Sequence, residues 1–146
     1  MTGICGLFDA PRLRTLPRTD QEPCWCDSGI TVGRCCGPAL SRAATAVTAE
    51  ALMRSRYSAY LIGDADYLLS TWHPATRPAS LILDEAQRWI GLTIKSVTAG
   101  SERDTEGSVE FVARFKIHGR GQRLHEHSRF VREQGLWFYR EGRQDA

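Results

Sequence analysis

Four cysteines fall within thirteen positions in the pattern Cys24-x-Cys26-x8-Cys35-Cys36, in a chain of 146 residues. Four thiolates suit tetrahedral Zn²⁺, with Zn–S near ~2.3 Å, and an eight-residue excursion between the pairs is long enough to return the chain to one ion. With all four positions taken by protein, such a zinc is structural rather than catalytic, because no site stays open to water. The alternatives are two disulfides or four unrelated thiols. Disulfides call for an oxidising compartment, whereas the N-terminus lacks the apolar stretch of an export signal. Adjacent Cys35 and Cys36 would also strain if paired with each other. The fifth cysteine, Cys5, stands alone, with no second thiol nearby to resolve a redox cycle.

A second place for chemistry is Glu126. On a strand from Gln122 to Arg132, parity sets Leu124, Glu126, Ser128 and Phe130 on one face and His125, His127, Arg129 and Val131 on the other. The face with Leu124 and Phe130 is expected inward, so Glu126 must find a cation, accept hydrogen bonds or stay protonated. Candidate partners from the covering helices are Arg54, Tyr57 and His73. One reading makes Glu126 and His73 a general acid/base pair on a pocket floor. The other makes Glu126 an anchor holding the first helix through Arg54 or a tyrosine hydroxyl, with His73 a helix-ending residue. His125 and His127 are expected to be solvent-exposed rather than ligands.

The elements that must position these groups follow from the pattern. Thr48 ahead of Ala49-Glu50-Ala51 reads as an N-cap with an acidic first turn, and Met53, Tyr57, Tyr60 and Leu61 recur at helical spacing up to Gly63. Asp64 restarts a short helix that His73-Pro74 stops. A third helical segment is expected over about Ala79 to Arg88. The period then changes to two: Ile90, Leu92 and Ile94 alternate, as do Val109, Phe111, Ala113, Phe115 and Ile117. Two more strands, Gln122 to Arg132 and Leu136 to Arg140, flank a short turn. Helices followed by four strands indicate an α+β domain with an antiparallel sheet whose apolar face the helices wrap.

Composition narrows the function classes. At 42% hydrophobic and 25% charged residues the chain is ordinary globular protein, neither disordered nor fibrous. Nineteen basic against seventeen acidic residues leave a net charge of +2 with both signs interspersed, so no nucleic-acid partner is expected. Apolar runs such as Leu81-Ile-Leu fall far short of the ~18 residues that span a bilayer, so no membrane insertion and a cytoplasmic location are expected.

The cysteine run resembles the SEC-C motif, a small zinc-binding module whose usual form reads C-P-C-G-S-G, a basic stretch, then C-C or C-H. The four cysteines, Ser28, Gly29 and Gly37 match; Trp25 replaces proline, Asp27 replaces glycine, and Ile30-Thr-Val-Gly33 replaces most of the basic stretch. Further on, Leu52-Met-Arg-Ser-Arg-Tyr57, Asp64-Ala-Asp-Tyr67, Thr71-Trp-His-Pro74, Trp89-Ile-Gly-Leu92, Leu124-His-Glu-His-Ser-Arg-Phe130 and Trp137-Phe-Tyr139 together resemble the YchJ family. That resemblance implies a nuclear transport factor 2-like (cystatin-like) cone of three helices against a curved four-stranded antiparallel sheet, preceded by a small zinc knuckle. It carries no activity, since the fold hosts enzymes, binding modules and dimerisation units alike.

The resulting expectation is a flexible tail over residues 1–23, a knuckle over 24–38 with zinc on Cys24, Cys26, Cys35 and Cys36, and an α+β domain over 49–146. The first functional reading is a protein-interaction or adaptor module rather than an enzyme. Its partner protein would dock at the knuckle, with a link to protein export, chaperones or ribosomes through the SEC-C resemblance. The alternative is a small-molecule binding protein or enzyme that uses the cone around Glu126 and His73, with Arg54 and Tyr57. The chain is expected to be a monomer or a weak homodimer through the outer sheet face.

Overall fold

The computed structural model describes residues 19–145; Cys5 and most of the N-terminal tail lie outside the described residues. A 3₁₀ turn, Val32–Arg34, and a one-turn helix α1, Gly37–Leu40, follow the first cysteines. Two further helices, α2 (Ala49–Ile62) and α3 (Ala65–Ser70), precede the strands β1 (Gln87–Ala99), β2 (Glu106–Ile117), β3 (Arg120–Glu133) and β4 (Leu136–Asp145).

Helix α2 has the ends its sequence predicts. The Thr48 side chain accepts the Ala51 N–H at 3.0 Å, and Gly63 takes the left-handed φ of 84° that closes the last turn onto the Ala59 carbonyl. Asp64 caps α3 through the Tyr67 N–H, and Arg42 pairs with the same carboxylate at 2.9 Å. The expected helix over 79–88 does not form. Leu81 and Leu83 alternate with exposed Ile82, and both half-buried leucines lie against the cluster of Ala59, Tyr67 and Leu68. Three consecutive apolar residues supply no helical stripe, and extended chain lets two of them reach that cluster.

The sheet is an antiparallel meander in the order β1-β2-β3-β4. Its tight turns use left-handed pairs, His118-Gly119 and Gln134-Gly135, which match the right-handed strand twist. Register shifts at Trp89/Gly91 and Ile94/Ser96 in β1, and opposite Arg129/Phe130, where β4 carries the extra residue Arg140, mark bulges, which bend strands and so curve the sheet. Helix α2 lies across the concave face, and the far edge is closed where Trp72 bridges to Tyr139.

One hydrophobic cluster runs through both parts of the molecule. Cys24, Trp25, Cys26, Val32 and Cys36 share it with Leu52, Met53, Tyr57, Leu92, Phe111, Phe130 and Trp137. Each fully buried large side chain contributes about 1.5–3 kcal/mol, so the cysteine-rich segment is held by the domain as well as by its own links.

Candidate metal centre and cone pocket

The cysteines are brought together by short-range chain geometry. The Cys24 N–H donates to the Ile30 carbonyl and the Val32 N–H to the Glu22 carbonyl, both at 2.9 Å, making a narrow loop whose tip carries Cys26, Asp27, Ser28 and Gly29. The 3₁₀ turn then reverses the chain, and Cys36 stands at the N-cap of α1. All four Sγ atoms lie within 4.8 Å of one another, and none is in a disulfide. Cys26 and Cys35 are 3.4 Å apart and Cys35 and Cys36 3.9 Å, against about 3.8 Å between thiolates sharing a tetrahedral ion at ~2.3 Å.

Electrostatics point the same way. Hydrogen bonds from Cys24 and Cys36 hold the Cys26 thiol far below its ordinary value, hydrogen bonding to Cys24 and Cys26 pushes Cys36 far up, and burial pushes Cys35 up to about 11. Four neighbouring sulfurs cannot all ionise without a cation between them. A divalent ion with four thiolates carries −2, and Arg54 lies beside it, donating to the Cys26 carbonyl at 3.0 Å with Sγ at 3.8 Å. Ser28 Oγ stands 3.1 Å from Cys35 Sγ. The residues therefore fit a metal, and Arg54 belongs to this centre, not to the pocket where it was expected.

Asp27 links the knuckle to the sheet. Its φ is 61°, a left-handed conformation natural to the glycine it replaces in the SEC-C pattern and tolerated by Asp. Its carboxylate accepts the Leu92 N–H at 3.1 Å, next to the β1 bulge.

The cone interior holds a cavity of about 250 Å³. Met53, Arg56, Tyr57 and Tyr60 line it from one stripe of α2, Trp89 from β1, Phe111 and Ala113 from β2, Leu124, Glu126 and Ser128 from β3, and Tyr139 and Gln144 from β4. Glu126 thus lies on the cone side of β3, among the lining residues. Its Oε2 accepts the Ser128 hydroxyl at 2.7 Å, and the side chain has room because position 142 on the next strand is glycine. Burial, and next the Glu126 charge, push the Tyr139 phenol upward. Tyr57 and Tyr60 meet Trp89 with ring centroids 5.9 and 5.8 Å apart, forming an aromatic wall.

His73 is not part of this pocket. Its Nε2 pairs with Glu133 Oε2 at 3.0 Å, its Nδ1 accepts the Ala75 N–H, and its ring stands edge-on to Phe138. Phe138 is adjacent in β4 to pocket-lining Tyr139 and so points to the opposite face. The reading in which Glu126 and His73 form an acid/base pair is therefore not supported by the geometry. The residue missed was Arg56, which is 4% exposed. Its Nη1 donates to the Leu68 carbonyl at 2.7 Å and to Thr71 Oγ1 at 2.8 Å, and its guanidinium lies 4.5 Å from the Tyr139 ring centre and 5.1 Å from that of Trp72. The available signal was its spacing, since Arg56 sits on the Met53, Tyr57, Tyr60 stripe.

Residues 48–142 match the family model described as YchJ, middle NTF2-like domain. The chain belongs to the YchJ family. It is 57% identical over 126 residues to a UPF0225 protein of Chromobacterium violaceum, covering 84% of this chain and 93% of that one. A UPF0225 protein of Streptomyces coelicolor is 51% identical over 120 residues, covering 82% and 94%. Among solved structures, a SEC-C motif containing protein from Rhodopseudomonas palustris superimposes with a TM-score of 0.73 at 36% identity, covering 86% of this chain and all of that one. Another from Psychrobacter arcticus gives 0.63 at 28% identity, covering 85% and 82%. These likenesses agree with the cone fold and with a metal-binding cysteine cluster. No helix among the described residues of this YchJ-family chain is long and apolar enough to cross a membrane.

Proposed function

We propose that this YchJ-family protein is a small-molecule binding protein whose cone is stapled by a structural zinc on Cys24, Cys26, Cys35 and Cys36. The observation that carries the reading is the Glu126 carboxylate set in a cavity of about 250 Å³ walled by Tyr57, Tyr60, Trp89 and Tyr139. Arg56 also lines the cavity, but its Nη1 is engaged by the Leu68 carbonyl and Thr71, so the aromatic wall and the Glu126 carboxylate favour a ligand with a flat apolar body and a cationic or hydrogen-bond-donating end. Glu126, Ser128 and the tyrosine hydroxyls supply polar groups that could orient such a ligand. Cys24, Cys26 and Cys36 are turned into the shared core, which supports zinc as a staple that fixes α2 and β1, two walls of the cavity.

Benzamidine, an aromatic amidinium, is a suitable probe, read by ligand-observed NMR and by tryptophan fluorescence. Binding that Glu126→Gln weakens at least about tenfold, and that His73→Gln leaves unchanged, supports the proposal. No binding by benzamidine or by an aromatic amine series, or binding indifferent to Glu126→Gln, overturns it.

One observation favours a second reading, a protein partner at the knuckle. Ile30 is 48% exposed beside Arg34, along a groove of about 420 Å³ between the knuckle and α2. Such a partner would be lost on Ile30→Asp with metal content unchanged. Insensitivity to that substitution leaves the groove without this role.

A further inference from the structure

The outer face of the sheet carries a second convergence of ligand atoms, remote in type from the thiolates. Glu110 on β2 stands opposite His127 on β3 and one step diagonal to His125, which pairs with Val112. Parity places all three on the face away from the cone. The His125 Nε2 lies 2.7 Å from Glu110 Oε2, and the His127 Nε2 lies 3.6 Å from the same oxygen. One donor atom from each residue falls within 4.8 Å of the others.

The arrangement around these atoms is ordered. Ser96 Oγ donates to the other carboxylate oxygen, Oε1, at 3.1 Å, fixing the Glu110 side chain from β1 and leaving Oε2 toward the imidazoles. The neighbouring Arg129 is engaged by Glu141 at 2.8 Å. The imidazoles are tilted at 37° with centroids 5.9 Å apart, both presenting Nε2 to one point. Side-chain exposures of 25% for His125, 38% for His127 and 24% for Glu110 leave the group recessed yet reachable from solvent. These histidines, expected to be exposed and idle, are half-buried and aimed at a shared carboxylate.

We propose that Glu110, His125 and His127 form a second metal site, which takes a divalent transition ion of the zinc, nickel or cobalt kind with water in its remaining positions. Two imidazoles and a carboxylate are borderline nitrogen and oxygen donors that suit such ions, and three protein ligands leave coordination open. A shared point of approach on rigid neighbouring strands lowers the reorganisation that binding requires. Ser96 acts as a positioning residue, since its hydrogen bond orients the carboxylate without reaching the ion.

The test uses the untagged full-length chain with the cysteine centre first loaded with one equivalent of Zn²⁺. Further Zn²⁺ is then added, followed by calorimetry and by NMR of the imidazole nitrogens of the four histidines. The expected result is one further equivalent bound below about 100 µM, with shifts at His125 and His127 and none at His73 or His118. Glu110→Gln and His125→Ala should each weaken that equivalent at least about tenfold without releasing the first. Ser96→Ala should weaken it less. Absence of a second equivalent, shifts confined to other histidines, or affinity unchanged in both ligand variants overturns the proposal. Because the readout is metal at the outer face, the outcome is independent of ligand binding in the cone.

Discussion

The carboxylate of Glu126 occupies the space that a side chain at Gly142 would need: a Cβ built there would overlap Glu126 Oε2 and crowd the Tyr139 hydroxyl. Glycine in a strand interior usually weakens it, and here its absent side chain makes room for the Glu126 carboxylate. Gly142→Ala is therefore expected to destabilise the fold by about 1–3 kcal/mol, the usual cost of overpacking. It should also weaken benzamidine binding as Glu126→Gln does. Urea unfolding and probe titration on the same preparation check both effects.

Removing the metal should loosen α2 as well as the knuckle, because the two share a core and the Arg54–Cys26 hydrogen bonds. Chelation is expected to lower the melting temperature by at least about 10 °C, with the loss deepening in acid as protons compete for the thiolates. Cys36→Ser, at a position 2% exposed, should cost more than Cys35→Ser at the half-buried rim. Metal content and thermal melts of the variants give the order.

At Asp27 two effects oppose each other. Asp27→Ala keeps the strain of φ 61° and loses the hydrogen bond to Leu92, so it should destabilise by about 1–2 kcal/mol. Asp27→Gly removes both the strain and the bond and should fall within about 0.5–1 kcal/mol of the parent. A reversal of that order, read from chemical denaturation of the metal-loaded protein, would show that the backbone conformation is not what the aspartate endures.

Asp64 should make stability depend on acid pH. Burial acts to raise its pKa, but hydrogen bonds from Arg42 and from the Tyr67 N–H outweigh it and hold the group below the ordinary 3.8. A carboxyl depressed in the folded state stabilises above its unfolded value, and that contribution fades as pH falls through the folded value. Asn is as good an N-cap as Asp, so Asp64→Asn isolates the charge. The variant should be about 0.5–1 kcal/mol less stable at pH 7, Arg42 being nearly half exposed. The difference should shrink toward zero as pH falls from neutral through the depressed folded value of Asp64, as measured by urea unfolding across the acid range.

Arg56 is the most deeply buried charge described, held by neutral acceptors and aromatic rings. Arg56→Met removes the donor while keeping an apolar stem and leaves the Leu68 carbonyl and Thr71 hydroxyl short of a partner. A loss of about 2–4 kcal/mol is expected. Arg56→Lys should recover less than half of it, since an ammonium cannot stack flat on Tyr139 and Trp72. Equilibrium unfolding followed by tryptophan fluorescence distinguishes the two.

Much of this molecule is local and was therefore legible in the sequence. The spacing of Cys24, Cys26, Cys35 and Cys36 names a metal centre because thirteen residues of chain can close on one ion without help from elsewhere. Thr48, Gly63 and Asp64 mark helix ends because capping is a matter of a few backbone bonds, and period-two alternation put Glu126 inside because side chains on a strand must change faces. Tertiary structure decided which partners those groups meet. Arg54 and Arg56 are two residues apart, yet a 200° turn of helix sends one to the sulfurs and the other into the cone. His73 lies just past a helix end whose exit direction no periodicity encodes; its N–H bonds the Tyr139 carbonyl on β4, which sets its ring beside Glu133 at the end of β3 rather than beside Glu126. Leu81 to Leu83 stayed extended because the cluster they reach exists only after the helices have packed. Glu110, His125 and His127 are ordinary polar residues of an outer face until the β2–β3 register brings their atoms to one point, since register fixes distances that sequence leaves open.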